Sequence, residues 1–316
     1  MKRRPLGRSG IEVAPLAFGG NVFGWTVDQP SAFLLLDNFV DRGFNLVDTA
    51  DVYSKWAPGN QGGESETIIG KWLGQGGGRR EKVVIATKVG MEMPDGKKGL
   101  AKKYILSAVE DSLKRLQTDR IDLYQSHAED PATPIDESLE AYDRLVRDGK
   151  VRAIGASNYS ADNLSKAVAT SAEKRLPRYE TLQPQYNLYS RADFEEKLAP
   201  VCLEKGIGVI PYYGLASGFL SGKYRSEADL AQSPRGRAVK KYLNERGFRI
   251  LDALDQVAKS KKAKSSQVAL AWLMARPAVT APIASATSVA QLRELMASAD
   301  LTLDAQSMAI LDQASA

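Results

Sequence analysis

The sequence predicts a (β/α)8 barrel that forms a single domain over residues 1–316. Eight short apolar runs alternate with segments of helical periodicity, and no linker or low-complexity segment divides them. The apolar runs are continuous, as in strands that are buried on both faces. The length of 316 residues and the hydrophobic fraction of 43% suit one barrel with a large core.

The eight strand candidates are short runs of mostly apolar residues, several of them rich in β-branched side chains. They span 13–19, 45–50, 83–89, 121–127, 151–157, 181–187, 208–214 and 280–286.

Helical patterns fill the gaps between these strands. The helix that follows the fourth strand begins after Pro134 and ends at Gly149, which are start and stop signals. The predicted helices span 31–43, 64–74, 102–116, 135–149, 161–170, 192–206 and 289–298.

Three further pieces lie outside the repeat. A small hairpin is predicted at 2–13, and we expect it to close the bottom of the barrel, because the carboxyl ends of the strands must stay open. An insertion at 215–279 starts with an expected mobile surface loop, which covers 217–240, and continues with helices near 242–260 and 265–275. A final helix within 301–314 packs on the outside.

An open doubly wound sheet is the alternative architecture. It needs a glycine-rich phosphate loop between a strand and a helix. Neither LAFGGNVFG at 16–24 nor GIGVIP at 206–211 has that spacing, so the barrel is preferred.

Composition narrows the classes of partner. The net charge of +5 is spread among acidic residues, except in KSKKAK at 259–264, which favours a solvated surface over nucleic-acid binding. The single cysteine, Cys202, excludes an internal disulfide and a thiol-based metal site, and its helical surroundings predict a core residue. No long apolar run or signal segment is present. We expect a cytoplasmic monomer or weak homo-oligomer with no membrane contact.

Four residues at successive strand ends predict a catalytic site. Asp48 ends the second strand and Tyr53 follows it, Lys88 lies near the end of the third, and His127 ends the fourth. Active-site residues of such barrels come from the carboxyl ends of several strands. Singly, each side chain also has a structural explanation, such as a cap, a packing aromatic or an exposed lysine.

Together, these four side chains suit proton donation to a carbonyl oxygen. A free tyrosine is a poor acid at neutral pH, and we expect the ammonium of Lys88 to lower the pKa of Tyr53. Asp48 would pair with Lys88, and His127 would orient the substrate oxygen. Such a group of residues favours carbonyl reduction, in which oxygen gains negative charge as hydride arrives.

Later strand ends carry groups that suit a dinucleotide. Ser157, Asn158 and Gln183 offer a hydroxyl and amides for a carboxamide, and Tyr212 is either a stacking or a core aromatic. The segment 213–223, with Lys223, and the segment 284–288, which contains Ser285 and precedes a helix, favour phosphate binding.

From the N-terminal LGRSGIEVAPLAFGG to the last helix, the chain resembles the aldo-keto reductase superfamily, especially bacterial members related to potassium-channel β-subunits. The matching motifs are NLVDTADVY, IATKVG, DRIDLYQSHAEDPATP, VRAIGASNYS, QPQYNL and SGFLSGKY. The resemblance implies a barrel that binds NAD(P)H without a Rossmann domain, with Asp48, Tyr53, Lys88 and His127 as the catalytic tetrad and Tyr53 as the proton donor.

The resemblance also implies cofactor contacts. Ser157, Asn158 and Gln183 would bind the carboxamide, and Tyr212 would stack on the nicotinamide. The remaining expected contacts along the pyrophosphate and the adenosine are Tyr213, Gly214, Leu215, Gly218, Lys223, Ser285, Thr287, Gln291 and Glu294.

Two departures from the family pattern concern the cofactor. Relatives often have Ser-Pro-Leu where this chain has Tyr213-Gly214-Leu215, and many NADPH-selective relatives have Arg or Lys near Thr287 and Asn in place of Leu295. NADPH is the first expectation and NADH the alternative.

The substrate is expected to be a small carbonyl compound. Trp25, Trp56 and Tyr213 are candidate walls, and they favour aldehydes or sugar-like carbonyls with apolar faces. Two other functions stay open, which are a Schiff-base aldolase that uses Lys88 and a cofactor-sensing subunit with little or no turnover.

Overall fold

Eight parallel strands form the centre of the computed structural model, which describes residues 1–233 and 235–316. From the first barrel strand to the seventh, each strand pairs with the next one along the chain, and the eighth pairs with the first. The backbone N–H groups of Thr280 and Ile283 donate to Val209 and Pro211, which closes the ring. The strands are β3 (Ala17–Gly19), β4 (Leu46–Asp48), β5 (Val84–Val89), β6 (Ile121–Ser126), β7 (Val151–Ser157), β8 (Tyr179–Gln183), β9 (Gly208–Val209) and β10 (Ile283–Ala284). The predicted barrel is confirmed.

Several strands are shorter than their apolar runs. The predicted strands 181–187, 208–214 and 280–286 each contain a proline, at 184, 211 and 282. Proline has no backbone N–H for the ladder. Accordingly β8 and β9 end before their prolines and β10 begins after its own.

An N-terminal hairpin closes the amino end of the barrel. Its antiparallel strands are β1 (Arg4–Pro5) and β2 (Glu12–Val13). Leu6, Ile11 and Val13 are buried in one cluster with barrel residues such as Leu46 and Val84. The expectation that the hairpin blocks this end is therefore confirmed, and the carboxyl ends of the strands remain open.

Helices surround the barrel and cover its outer face. They are α1 (Gln29–Asp41), α2 (Glu64–Leu73), α3 (Arg79–Lys82), α4 (Lys102–Leu116), α5 (Ile135–Arg147), α6 (Ala161–Lys174), α7 (Ala199–Lys205), α8 (Gly236–Val239), α9 (Glu245–Lys261), α10 (Ser265–Met274), α11 (Val289–Met296) and α12 (Ala305–Ser315). A π-helical turn, Phe194–Leu198, precedes α7. The C-terminal α12 packs on α9, as an outer helix was expected to.

The first part of the insertion differs from the prediction. Short helical turns occupy Ala216–Ser221, Glu227–Gln232 and Lys240–Tyr242, with α8 between the last two. Phe219 and Tyr224 are fully buried, which fixes the path of the chain. The expected surface loop over 217–240 therefore contains short helical turns in its described part, its mobility stays a prediction, and Pro234 lies outside the described residues.

Cys202 is buried in the core, as predicted. Burial raises the pKa of its thiol to about 12, so the side chain behaves as a small apolar group. Within 1–233 and 235–316, no three His, Cys, Asp or Glu side chains group closely enough to hold a metal ion.

Among the described helices, none combines the length and the apolar character that crossing a bilayer requires.

Candidate active site

Strand periodicity directs two charged side chains into the barrel. In β5, Val84 and Ala86 face the interior cluster, so the two-residue repeat brings Lys88 to the same face at the carboxyl end. Asp48 follows Leu46 in β4 in the same way. Both charges therefore enter the barrel at its open end.

Asp48 and Lys88 form a buried ion pair. The ammonium lies 2.8 Å from both carboxylate oxygens and also donates to the carbonyl oxygen of Thr49 at 2.8 Å and to the hydroxyl of Tyr53 at 2.9 Å. Burial lowers the pKa of Lys88, and the carboxylate of Asp48 opposes that shift. Because each donor of Lys88 has an acceptor, the pair is well placed to hold Tyr53.

The hydroxyl of Tyr53 faces Asp48 as well as Lys88. It lies 3.3 Å from Oδ2 of Asp48 and donates to it. Burial, and then the negative charge of Asp48, raise the pKa of Tyr53 well above its usual value. The expected lowering by Lys88 is therefore wrong for this arrangement, because Asp48 neutralises the ammonium. Tyr53 stays protonated at neutral pH and can donate its proton.

His127 follows β6 and lies beside Tyr53. The two rings are 6.0 Å apart between centroids and meet edge to face. Burial and the nearby ammonium of Lys88 lower the pKa of His127 well below its ordinary value. Nδ1 is buried without a hydrogen-bond partner among the described residues. The imidazole is therefore neutral and offers one N–H donor.

A cavity of about 930 Å³ opens at the carboxyl ends of the strands. Asp48, Tyr53 and His127 line it, whereas Lys88 lies behind them with no exposed surface. The other predicted residues in its wall are Trp25, Trp56, Ser157, Asn158, Gln183, Tyr212, Tyr213, Gly214, Leu215, Gly218, Lys223, Ser285, Thr287 and Gln291.

Glu294 is the one predicted cofactor contact that lies outside the cavity wall. Its carboxylate accepts a hydrogen bond of 2.5 Å from Ser266, which turns it toward α10. A contact with the adenosine end stays a prediction.

The expected carboxamide-binding groups form one hydrogen-bond network. Ser157 donates to the carbonyl oxygen of Gln183 at 2.9 Å, and the hydroxyl of Tyr212 donates to Oδ1 of Asn158 at 2.7 Å. The side-chain amide of Gln183 donates to Asp48 at 2.8 Å. This network connects the predicted nicotinamide site to the ion pair of Asp48 and Lys88.

The turn after β9 has a backbone suited to an anion. Tyr213, Ala216, Ser217 and Gly218 all have positive φ values, which is rare for three non-glycine residues so close together. The amine of Lys223 lies beside Gly218, 3.8 Å from where a Cβ would stand. Successive amides of such turns and a lysine suit a phosphate. These residues fit the pyrophosphate of a dinucleotide.

Aromatic and apolar side chains form the outer wall of the cavity. Trp56 lies between Tyr53 and Trp25, with ring centroids 5.9 Å from each. Trp56, Met91 and Tyr213 belong to the few large hydrophobic residues that are exposed in the described chain. Such a surface suits the apolar body of a ligand.

Sequence reasoning missed several residues of the cavity wall. Asn21 follows the first barrel strand and accepts from Ser285 at 2.7 Å, so the strand-end rule identifies it in retrospect. The insertion residues carry no such signal, because their place depends on how the insertion folds back. The missed residues are Asn21, Val22, Thr26, Met91, Ser217, Gln232, Ser233, Arg235, Ile283 and Ala284.

Comparisons with known proteins cover almost the whole chain. The model of the aldo/keto reductase family matches residues 15–316. The uncharacterized oxidoreductase YrpG of Bacillus subtilis is 38% identical over 97% of this chain and 94% of its own length. The aldo-keto reductase YhdN of the same organism is 32% identical over 97% and 91%. A probable voltage-gated potassium channel subunit beta of Arabidopsis thaliana is 32% identical over 95% and 92%. The chain belongs to the aldo/keto reductase family.

Proposed function

We propose that the protein reduces an aldehyde or ketone to an alcohol, reversibly, with NADPH as the first choice of cofactor and NADH as the alternative. Family membership and the names of its oxidoreductase relatives support carbonyl reduction in general. The observation that carries the proposal is the phenol of Tyr53 at a cavity wall, held by the buried pair of Asp48 and Lys88.

Each member of the group has its own task. When bound, a reduced nicotinamide supplies a hydride to the carbonyl carbon. Tyr53 gives its proton to the carbonyl oxygen, and Lys88, which donates to the phenol oxygen, stabilises the phenolate that remains. Asp48 keeps Lys88 in place, and the neutral His127 donates to the carbonyl oxygen and orients it.

The residues of the cavity fit a dinucleotide. Ser157, Asn158 and Gln183 would hold the carboxamide, and the half-buried Tyr212 would lie against the ring. The turn after β9 would take the pyrophosphate, with Thr287 and Gln291 toward the adenosine. The preference for NADPH is tested by comparing kcat/KM for NADPH and NADH, measured as cofactor oxidation.

Tyr53→Phe tests the proton donor. We expect kcat/KM for a working aldehyde to fall by at least about 100-fold, because the phenylalanine keeps the ring and removes the acid. Tyr104→Phe, a half-buried tyrosine on α4 outside the cavity wall, is the matched control and should keep activity. Near-normal reduction by Tyr53→Phe would refute the assigned role.

The aldolase alternative is disfavoured by the burial of Lys88. Its amine has no exposed surface, is absent from the cavity wall and already has three acceptor groups. A Schiff base needs a free, reachable amine. Absence of a borohydride-trapped adduct on Lys88, with the candidate aldehyde present, is the expected result.

A cofactor-sensing subunit is the second candidate, because the Arabidopsis relative is named as a probable channel subunit. Rapid multiple turnover under excess cofactor and aldehyde argues for an enzyme, and one slow turnover with retained cofactor argues for a sensor. The cytoplasmic location, the small-molecule partner and the monomeric or weakly associated state remain predictions.

A further inference from the structure

Two loops at the open end of the barrel are joined by side-chain hydrogen bonds. One loop connects β3 to α1 and the other connects β4 to α2. The hydroxyl of Ser54, in the second loop, donates to the carbonyl oxygen of Phe23, in the first, at 2.6 Å. The side-chain amide of Asn60 donates to the carbonyl oxygen of Gly24 at 2.8 Å and to that of Ser54 at 2.9 Å. We call Ser54 and Asn60 the loop clamp.

The β3–α1 loop has a defined shape but needs its neighbour for a defined position. The backbone N–H groups of Trp25 and Thr26 donate to the carbonyl oxygen of Val22 at 3.2 and 3.0 Å, and these bonds stay within the loop. A Cβ at Gly24 would stand only 2.8 Å from Cβ of Glu64, the first residue of α2. The position of the loop therefore depends on close packing at Gly24 and on the loop clamp.

Ser54 has a strained backbone for a residue with a side chain. It is fully buried and has a φ of 74°, in the left-handed region that favours glycine. Such strain persists where the surroundings fix the conformation, and the short hydrogen bond to Phe23 is one such contact. Tyr53, the preceding residue, has its hydroxyl 2.9 Å from the amine of Lys88. Consecutive side chains thus contact the ion pair and the other loop.

The two clamped loops carry the tryptophans of the cavity wall. Trp25 directly follows Gly24, and Trp56 comes two residues after Ser54. Their rings meet edge to face with centroids 5.9 Å apart, and Trp56 lies 5.9 Å from the ring of Tyr53. Because each tryptophan belongs to a different loop, their contact depends on the relative position of the loops, which the clamp fixes.

We propose that Ser54 and Asn60 are positioning residues for the two tryptophans of the wall, and that they thereby give the site a preference for carbonyl substrates with a flat aromatic body over short aliphatic ones. This inference rests on the proposed function of the same site. Neither clamp residue belongs to the described cavity wall, so both act through the tryptophans. A wall that is fixed before binding costs little order when a flat apolar ligand packs on it.

The position of the tryptophans is measured without any substrate. Two indoles in contact give a coupled pair of bands in the far-UV circular dichroism spectrum, and Trp25→Phe removes that pair. Ser54→Gly and Asn60→Ala should each weaken the coupled bands, and the double variant should approach the spectrum of Trp25→Phe.

Ser54→Ala separates the hydrogen bond from the backbone strain. Alanine and glycine both remove the hydroxyl, but only alanine keeps a Cβ at a positive φ. Ser54→Ala should therefore have the lower Tm, while the two variants weaken the coupled bands equally. Weaker bands in Ser54→Ala alone would overturn the role given to the hydroxyl.

A pair of aldehydes measures the effect on specificity. With saturating NADPH, the wild type should have a higher kcat/KM for 2-naphthaldehyde than for propanal, which is too short to reach the tryptophans from Tyr53. The double variant Ser54→Gly with Asn60→Ala should lower kcat/KM for 2-naphthaldehyde about 10-fold, mainly through a higher KM, with kcat within about 3-fold. Its kcat/KM for propanal should stay within about 2-fold of the wild-type value.

Matched controls lose the same kinds of bond elsewhere. Ser138, a buried serine on α5, donates to the carbonyl oxygen of Leu100 at 2.8 Å. Asn38, a half-buried asparagine on α1, donates to that of Leu34 at 2.9 Å. Both lie outside the cavity wall. Ser138→Ala and Asn38→Ala should keep the coupled bands and the ratio of the two kcat/KM values.

Several results would overturn the inference. Unchanged bands in the double variant would show that the clamp does not place the tryptophans. Weaker bands with an unchanged ratio of kcat/KM values would refute the effect on specificity and leave carbonyl reduction intact. An equal fall in kcat for both aldehydes with unchanged KM would assign the clamp to the support of Tyr53 instead. If the wild type reduced no carbonyl in a broad panel, the proposed function itself would fail, and the specificity would fail with it.

Discussion

Two walls of the cavity differ in how their polar groups are satisfied. The wall at the ends of β4, β5 and β6 is buried, and Asp48, Lys88 and Tyr53 there hydrogen-bond to one another. The other wall, formed by the turn after β9, β10 and the insertion, has left-handed backbone positions, exposed side chains and Arg235, whose buried Nη2 has no acceptor among the described residues.

Under the proposed function, this difference separates a wall for chemistry from a wall for binding. A proton donor works best when its neighbours are fixed before the substrate arrives, since no reorganisation is then needed. In a binding wall the ligand supplies hydrogen-bond partners, so polar groups there can lack partners before the ligand binds. Hence we expect changes in the first wall to cost rate and stability, and changes in the second to cost affinity.

The largest expected effect comes from breaking the ion pair. Lys88→Met should lower kcat/KM about 1,000-fold, because the support of Tyr53 is lost. It should also lower the free energy of unfolding by about 3–5 kcal/mol, because Asp48 stays buried without its cation. Urea denaturation and steady-state kinetics measure the two effects.

The double variant Asp48→Asn with Lys88→Met is the control for the stability effect. It removes both charges, so much of the lost stability should return while kcat/KM stays as low as in Lys88→Met. A double variant as unstable as Lys88→Met would show that packing, and not the unpaired carboxylate, explains the loss.

Close to the first wall lies a second buried carboxyl that, unlike Asp48, is not hydrogen-bonded to its described neighbours. Asp51 is buried and neither of its oxygens has a partner among the described residues. Burial, and then repulsion from Glu66, raise the pKa of Asp51 to about 8, while Arg115 and Lys88 oppose the shift. The folded protein therefore holds a proton that the unfolded chain releases near pH ~3.9.

This shift predicts a stability that falls with rising pH. Between about pH 4 and pH 8 the folded state binds the extra proton, so Asp51 alone lowers the free energy of unfolding by about 1.4 kcal/mol per pH unit. Asp51→Asn cannot titrate, and its Tm should exceed that of the wild type more at pH 8 than at pH 5. Parallel Tm profiles would contradict the assignment, and Asp252→Asn, an exposed residue on α9, is the control.

Substitutions in the second wall should change mainly the affinity for the cofactor. Lys223→Gln should weaken the Kd for the cofactor about 10-fold, as expected for the loss of a charge-assisted hydrogen bond, with kcat within about 2-fold. Fluorescence titration gives the Kd. Lys240→Gln, an exposed lysine of the insertion that pairs with Glu227, is the control. A fall in kcat with an unchanged Kd would place Lys223 in the chemistry.

The smallest expected effect is the dependence of kcat/KM for reduction on pH. In the proposed reaction Tyr53 must be protonated, and that state is lost only above its raised pKa, while His127 stays neutral until the pH is well below the usual pKa of histidine. We therefore expect kcat/KM for reduction to change less than about 2-fold between pH 6 and pH 9. An inflection near pH 6.5 that His127→Gln removed would show that His127 titrates in the working range.

The positions of Asp48 and Lys88 at the open end of the barrel were predictable from the sequence because strand ends follow local rules. Asp48 and Lys88 each stand two residues after an interior apolar residue, and this period alone directs them into the barrel. The direction of the Tyr53 pKa was not predictable, because it depends on burial and on the distances to two opposite charges. Arg235 was missed because an insertion has no strand register to place it.

The sequence by itself determined the barrel, the closing hairpin, the family and the set of chemical groups at the open end, since these depend on periodicity and local motifs. The tertiary structure alone decided which charges neutralise each other and which remain free. Lys88 pairs with Asp48 across adjacent strands. The path of the insertion brings Arg235 to Trp25, and the buried Nη2 of Arg235 has no acceptor in the described chain. Charge pairing is a matter of distances of a few ångströms between residues far apart in sequence, and only packing sets those distances.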